Sequence, residues 1–316
     1  MKVISRNNFL ETQPVRVDQE PPVQPVQPEP VPPPPPAPMP PPKKKRGCCC
    51  GCITFLAVIF GILVVLLVLP TPVKFVVLGV DRAPDGSFTG RTDTNIIVGV
   101  YPLKPTINML SIPRDLWVTI PGVGENRINT AHFFAEANQK GSGPAATLAT
   151  IEANFGVKIR YYARIQFEGV VDIVNAMGGV KVHMPEAMSG YPAGDHVLDG
   201  TQALAFARDR SGTDDFFRMS HGQLLIKSMF NQLINPVTWP RYPAIFVAST
   251  RFVSTNIPVW EWPRIAFAMV RLGSDGINNR TIDRSMVNGW TTDQGAQVLL
   301  PNWDAINPVV QEMFGN

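Results

Sequence analysis

Cysteine is nearly missing: the four in 316 residues, Cys48, Cys49, Cys50 and Cys52, all fall within one short stretch. Everything after residue 52 therefore lacks a thiol. That excludes a disulfide framework and a cysteine nucleophile there, and leaves stability to a packed core. The cluster is too tight for paired zinc-ligand spacing and has no neighbouring histidine, so acylation or small-residue packing suits it better. Histidine is also scarce. His132, His183, His196 and His221 are too scattered for a metal motif, and each reads as a surface or satisfied core residue. No G-x-x-x-x-G-K-[ST] loop, G-x-S-x-G elbow or H-E-x-x-H helix occurs, which removes three common catalytic grammars. Charged residues make up only 17% and the net charge is +3, part of it in one basic run, which argues against a general polyanion binder and against nucleic acid as a partner.

What is present is unevenly spread. From about residue 20 to 42 the chain is mostly proline, as in "VPPPPPAPMPPP", which favours extended polyproline II and offers almost no core side chains. Residues 1–46 are thus expected to be a solvated tail ending in Lys43, Lys44, Lys45 and Arg46. The uncharged run "ITFLAVIFGILVVLLVL", Ile53 to Leu69, is near the lower length that spans about 30 Å of hydrocarbon, and Cys48–Cys52 can extend it. A single membrane anchor is expected over 47–70. A cleaved signal peptide fits less well, since about fifty residues precede the run and "LPTPVKF" carries no A-x-A-like site. The basic flank predicts a cytoplasmic N-terminus, with everything after Pro70 on the outer side of the cell membrane.

Beyond the anchor, hydrophobic periodicity alternates. "KFVVLGVD", "TNIIVGVYP" and "INMLSIPRD" read as strands, with "LWVTIPG" expected to pair with the third. "GPAATLATIEANFG" and "EGVVDIVNAMGG" read as helices stopped by Gly156 and by Gly178–Gly179, with the strand "YYARIQF" between them and "VKVHMP" after. Helices follow in "DGTQALAFAR" and from about Phe216 to Ile234; later come strands in "NRTIDRS" and "AQVLLP" and a last helix in "WDAINPVVQEMF". No linker or repeat interrupts 74–316, which argues for a single α/β domain with helices flanking a mixed central sheet.

Charge concentrates where these strands end. Asp81 follows the first, Arg91 and Asp93 bracket the start of the second, and Arg114 with Asp115 follows the third. In an open α/β sheet such positions line the ligand crevice. "FARDRSGTDDFFRM" adds Arg208, Arg210 and Arg218 around Asp214 and Asp215. Paired aspartates suit Mg²⁺, a hard cation that works on phosphate, and guanidinium forks suit phosphate oxygens. The set therefore points to a phosphate or pyrophosphate clamp.

In order, "VVLGVD", "GRTDTNIIV", "LSIPRDLWVTIPG", "RINTAHF", "FEGVVDIVNAMGGVKVHMPE", "LDGTQALAFARDR" and "DFFRMSHGQ" closely resemble the LytR-CpsA-Psr family, from Lys74 to the C-terminus. The resemblance implies a membrane-anchored, Mg²⁺-dependent phosphotransferase that moves a glycopolymer from a polyprenyl-pyrophosphate carrier onto peptidoglycan or a related envelope acceptor. It implies Asp81 and Asp93 as the metal-linked aspartates. It implies Arg91, Arg114, Arg127, Arg208, Arg210, Arg218 and Gln223 as pyrophosphate-binding residues. Asp81, Asp93, Arg114 and Arg210 then form the catalytic set with an acid at Asp214 or Asp215. An apolar slot for the prenyl tail is implied by the resemblance alone. The chain departs from the family pattern at His221 and Gly222, where Arg and Gln are usual, and at Arg127, where Lys is usual. A hydrolase of the lipid carrier and a non-catalytic envelope regulator are the alternatives.

Overall fold

A computed structural model describes residues 49–68, 71–81, 88–101, 106–209, 215–273 and 276–315. The expected tail with its basic flank lies outside them. The apolar run forms helix α1 (Cys49–Val68). Among the residues described in full, no helix is long and apolar enough to cross a membrane.

The rest begins with β1 (Val73–Val80), β2 (Thr92–Tyr101) and β3 (Thr106–Ile112), a meander of antiparallel neighbours. A hairpin, β4 (Trp117–Ile120) and β5 (Gly124–Arg127), leads into α2 (Asn129–Asn138) and α3 (Gly143–Phe155). Then come β6 (Tyr161–Gln166), α4 (Phe167–Met177), a second hairpin of β7 (Val180–Met184) with β8 (Gly194–Leu198), and α5 (Gly200–Arg208). The last third holds α6 (Asp215–Ile234), α7 (Tyr242–Phe252), β9 (Val253–Thr255), α8 (Trp262–Leu272), β10 (Ile277–Thr281), a third hairpin of β11 (Val287–Thr291) with β12 (Gln297–Pro301), and α9 (Trp303–Phe314).

Six strands make one mixed sheet in the order β10-β3-β2-β1-β6-β9. The pairings make β10, β3, β1 and β6 run one way and β2 and β9 the other. Four strand C-termini and the start of β2 therefore share one end of the sheet, where the charged residues lie. Strand alternation sends side chains to opposite faces. Val76, Leu78, Ile97, Leu110 and Ile112 pack under α3 and α9, whereas Phe75, Val77, Ile96, Val98 and Met109 pack under α6 and α8. Both faces are covered, as the near-continuous apolar runs of β1 and β3 require.

The helix stops at Gly156 (φ 68°) and Gly178 (φ 83°) fall in the left-handed region, which explains glycine at both. Asp199 caps α5 by accepting from the Gln202 amide, and Gln202 answers with its side chain on the Asp199 N–H. One expected pairing is corrected. "LWVTIPG" pairs with β5, not β3, because the turn at 121–123 folds it back onto "GENR" and β3 already has β2 and β10 as neighbours. Helices α2 and α7 and strands β5, β8, β9 and β11 are not among the elements expected from the sequence. The run "VKVHMP" is a strand, but in a hairpin outside the main sheet.

Candidate functional site

At the charged end of the sheet lies a cavity of about 400 Å³ between the sheet and helices α4, α5 and α6. Four of its lining residues carry charge: Asp81, Asp93, Arg208 and Arg218. They come from four elements. Val80 pairs with Thr92 at a bulge in β1–β2, so Asp81, one residue past β1, and Asp93, the second residue of β2, flank that pair on adjacent strands, and both line the cavity. Arg208 closes α5 and Arg218 sits in the first turn of α6. The rest of the wall is mainly apolar, with Val77, Ile165, Val170, Ile173, Leu225, Ile226 and Met229. Along α6 the eleven steps from Arg218 to Met229 correspond to about 16 Å. The charged residues thus gather at one end of the cavity, and apolar residues line the rest of it along α6.

The charged end is organised as ion pairs. Arg208 Nη2 lies 2.7 Å from Asp81 Oδ1, with its guanidinium 5.2 Å from the Phe167 ring centre. Arg114 donates Nη1 to Asp93 Oδ1 at 3.0 Å and Nε to Asp115 Oδ2 at 3.3 Å. Arg127 Nε stands 3.3 Å from the other oxygen of Asp115, and its Nη2 donates to the Gln297 carbonyl at 2.7 Å. Arg114, Asp93, Asp115 and Arg127 are each only partly exposed, so their mutual orientation is restrained without being sealed from solvent. Arg218 is 8% exposed, which makes it the most desolvated cation of the cavity wall.

The other sequence-derived positions separate. Arg91 is exposed just before β2. Gln223 is buried behind the cavity: its Nε2 donates to Ser111 Oγ and to the Arg280 carbonyl, and its Oε1 accepts from Thr281, so it ties α6 to β3 and β10. Arg210 and Asp214 lie outside the described residues. Asp215 opens α6, its side chain likewise outside them. Of the phenylalanines in "FARDRSGTDDFFRM", Phe206 is buried, Phe216 packs against the α3–α9 core and Phe217 is exposed. His221 stacks on Phe206 at 4.6 Å and meets Phe217 edge-on at 5.1 Å, away from the cavity. Burial holds its pKa below the ordinary value, with Asp209 and the Phe206 backbone acting in the opposite sense. Gly222 does line the cavity, and a β-carbon there would meet nothing within 4 Å, so its place in the wall is open space.

A second ionic group was not legible as such. Arg164, in the middle of β6, pairs with Glu136 at 3.1 Å, and both side chains are almost fully buried. Glu136 accepts from the Gly141 and Gly143 amides at 2.8 and 2.9 Å. Burial alone would raise its pKa; these amides, Arg164 and His132 outweigh that and hold it low. His132 Nδ1 lies 2.9 Å from the Gly90 carbonyl. A carbonyl only accepts, so Nδ1 carries the proton and Nε2 accepts from Arg164 Nη1 at 3.3 Å. The network fixes the residues that lead into Arg91 and Asp93. The signal in the sequence was the charge within the otherwise uncharged strand "YYARIQF".

Among the described residues no group of three or more His, Cys, Asp or Glu is placed to hold a metal. Asp81 and Asp93 alone still fit Mg²⁺, which commonly takes one or two carboxylates and completes its shell with substrate phosphate oxygens and water.

Comparison with known proteins agrees with the architecture. Among solved structures, the crystal structure of B. subtilis TagV superposes with a TM-score of 0.62 at 24% identity, over 78% of this chain and 98% of that one. Among curated relatives, the polyisoprenyl-teichoic acid–peptidoglycan teichoic acid transferase TagU of Oceanobacillus iheyensis is 37% identical over 166 residues, 51% of each protein. The regulatory protein MsrR of Staphylococcus aureus is 28% identical over 194 residues, 59% of this chain and 57% of its own length. The matches thus span about half the length of these relatives. The LytR_cpsA_psr family model matches residues 70–313, and the chain belongs to that family.

Proposed function

We propose that this protein transfers a glycopolymer from a polyprenyl-pyrophosphate carrier to peptidoglycan or a related envelope acceptor, with α1 as its membrane anchor, the N-terminus cytoplasmic and the catalytic domain outside. The observation that carries the reading is the division of one cavity into a charged end and a long apolar body. A ligand with an anionic head and a prenyl tail has that division, and most small metabolites do not. The transferase name of a relative 37% identical points the same way.

In this reading Arg208 and Arg218 bind pyrophosphate oxygens through charge-assisted hydrogen bonds. Arg114, braced by Asp115, holds Asp93 in place, while Arg91 and Arg127 extend the cationic rim. An acceptor hydroxyl attacks the phosphorus that bears the glycopolymer. The new O–P bond forms as the bond to the bridging oxygen breaks, and prenyl phosphate departs with that oxygen. The hydroxyl proton passes to a carboxylate of the site, Asp214 or Asp215 being the candidates. Mg²⁺ held by Asp81 and Asp93 would supply positive charge to the phosphate oxygens, the main contribution such a site can make. Gln223 acts through packing by fixing α6.

The test is product analysis with the full chain in detergent, a lipid-pyrophosphate-linked glycopolymer and Mg²⁺, with and without peptidoglycan. Transfer that requires the acceptor is expected. Release of free polymer at the same rate without acceptor would make the protein a hydrolase, and absence of turnover with retained carrier binding would make it a sensor.

A further inference from the structure

Along the β4–β5 hairpin that carries Arg127 lies a second concavity of about 410 Å³. Its walls include Trp117, Trp290 and Trp303, three of the chain's six tryptophans, together with Thr119, Glu125 and Asn154. Trp117 and Trp290 meet edge to face at 5.9 Å. Trp303 is seated by the Phe155 ring at 5.3 Å and by the core beneath. Trp290 has no such burial: it is 40% exposed on β11, a strand whose last four residues all face solvent. The polar groups are held in place. Asn154 bonds the Thr119 backbone at both its N–H and its carbonyl, and Trp117 Nε1 donates to Glu125 at 3.4 Å.

The strand register connects this groove to the charged site. Trp117 pairs with Arg127 and Thr119 with Glu125. Directly opposed residues of antiparallel strands share a face, so one face of the β4–β5 hairpin carries Arg127 beside Trp117 at one end and Thr119 beside Glu125 at the next pair on that face. The Leu299 amide donates to the Asp115 carbonyl at 3.0 Å, which ties the Trp290 hairpin to the same point.

We propose that this groove is a saccharide-binding platform that seats pyranose rings of a glycan as it approaches the charged end of the cavity. Indole surfaces offer apolar area to the C–H faces of sugar rings, and fixed polar groups at their edges take the hydroxyls. The location beside Arg127 rests on the transferase reading. Sugar binding by itself does not. Two sources share this chemistry, the acceptor glycan and the polymer carried by the donor.

The experiment titrates the full chain in detergent with soluble peptidoglycan glycan strands and, separately, with glycopolymer freed from its lipid, following tryptophan fluorescence and heat. Wild type is expected to bind one of the two, and whichever binds identifies the source. Trp290→Ala should weaken that binding at least about fivefold, the loss expected of a contact residue. Trp290→Phe should recover part of it, and carrier affinity and melting temperature should not change. In turnover assays Trp290→Ala should raise KM for the glycan concerned and leave kcat alone. Glycan binding without any transfer would overturn the transferase reading and leave the platform standing. If wild type binds neither glycan, or Trp290→Ala binds as tightly as wild type, the platform is overturned, and the tryptophans serve only to hold two hairpins together.

Discussion

Two groups of ions each pair a carboxylate with an arginine, in opposite surroundings. Around Glu136, Arg164 and His132 every charge is desolvated and matched, with two backbone amides completing the carboxylate. Around Asp81, Asp93, Arg114 and Arg208 the pairs face a cavity and water; Arg208 and Asp81 remain 44% and 61% exposed. A buried matched set cannot exchange partners without stranding a charge, whereas a half-exposed pair can release its arginine to a phosphate at little cost. On the proposed function, the first is scaffold and the second serves the ligand.

The sharpest way to break this comparison is to delete one member of each. Arg164→Ala leaves Glu136 buried and unpaired and should cost about 3–5 kcal/mol in denaturant unfolding. Asp93→Ala, by contrast, should abolish transfer while the unfolding midpoint stays near that of wild type. Equal stability losses in the two variants would erase the distinction. Next in size, Arg208→Ala should weaken carrier binding by about 1.5–3 kcal/mol, as for a hydrogen bond to a charged group. Arg208→Lys should recover only part, since the planar fork is lost. The stability change should stay within about 1 kcal/mol. Titration with a short-chain polyprenyl pyrophosphate checks both numbers.

A smaller effect follows from proton linkage. Burial holds His132 and His221 below their ordinary 6.5, so the unfolded chain takes up protons first as pH falls. Their contribution to stability is complete above about pH 6.5 and is lost on acidification below it. Glu136, held below its ordinary 4.5, contributes fully above that value and loses its share only as pH falls through its lowered pKa. Melting temperature against pH should therefore decline in two stages, and His221→Phe should soften the first. The smallest effect belongs to Arg280 and Glu312, an exposed pair at 2.6 Å, where either alanine variant should move stability by less than about 1 kcal/mol.

The strand-end charges were legible because the backbone rule that places ligands past strand termini needs no side-chain detail. Asp81, Asp93 and Arg114 do converge at one end of the sheet. The residues that were missed depended on tertiary pairing. Nothing local distinguishes Glu136 from a surface glutamate of α2 until Arg164 is brought across from β6. The wrong partner for "LWVTIPG" has the same origin: apolar alternation shows that a segment is a strand, but a neighbour is chosen by which edges remain free. Trp290 stood out by nothing in the sequence, since its groove is assembled from two hairpins and two helices far apart along the chain.

One remaining feature bears on how the protein comes into being. The last carbonyls of α9 are held by the first strands: Lys74 Nζ donates to the Phe314 carbonyl at 2.7 Å, and Tyr101 and Asn108 both donate to that of Met313. Residues some 200 to 240 positions apart thus complete one lock. Contacts of such separation form late and slowly. β1 to β3 can emerge and pair early, but the domain cannot close until α9 has been synthesised. On the proposed topology, the segment that follows α1 through a membrane pore would stay open, and suited to threading, for almost the whole of its passage.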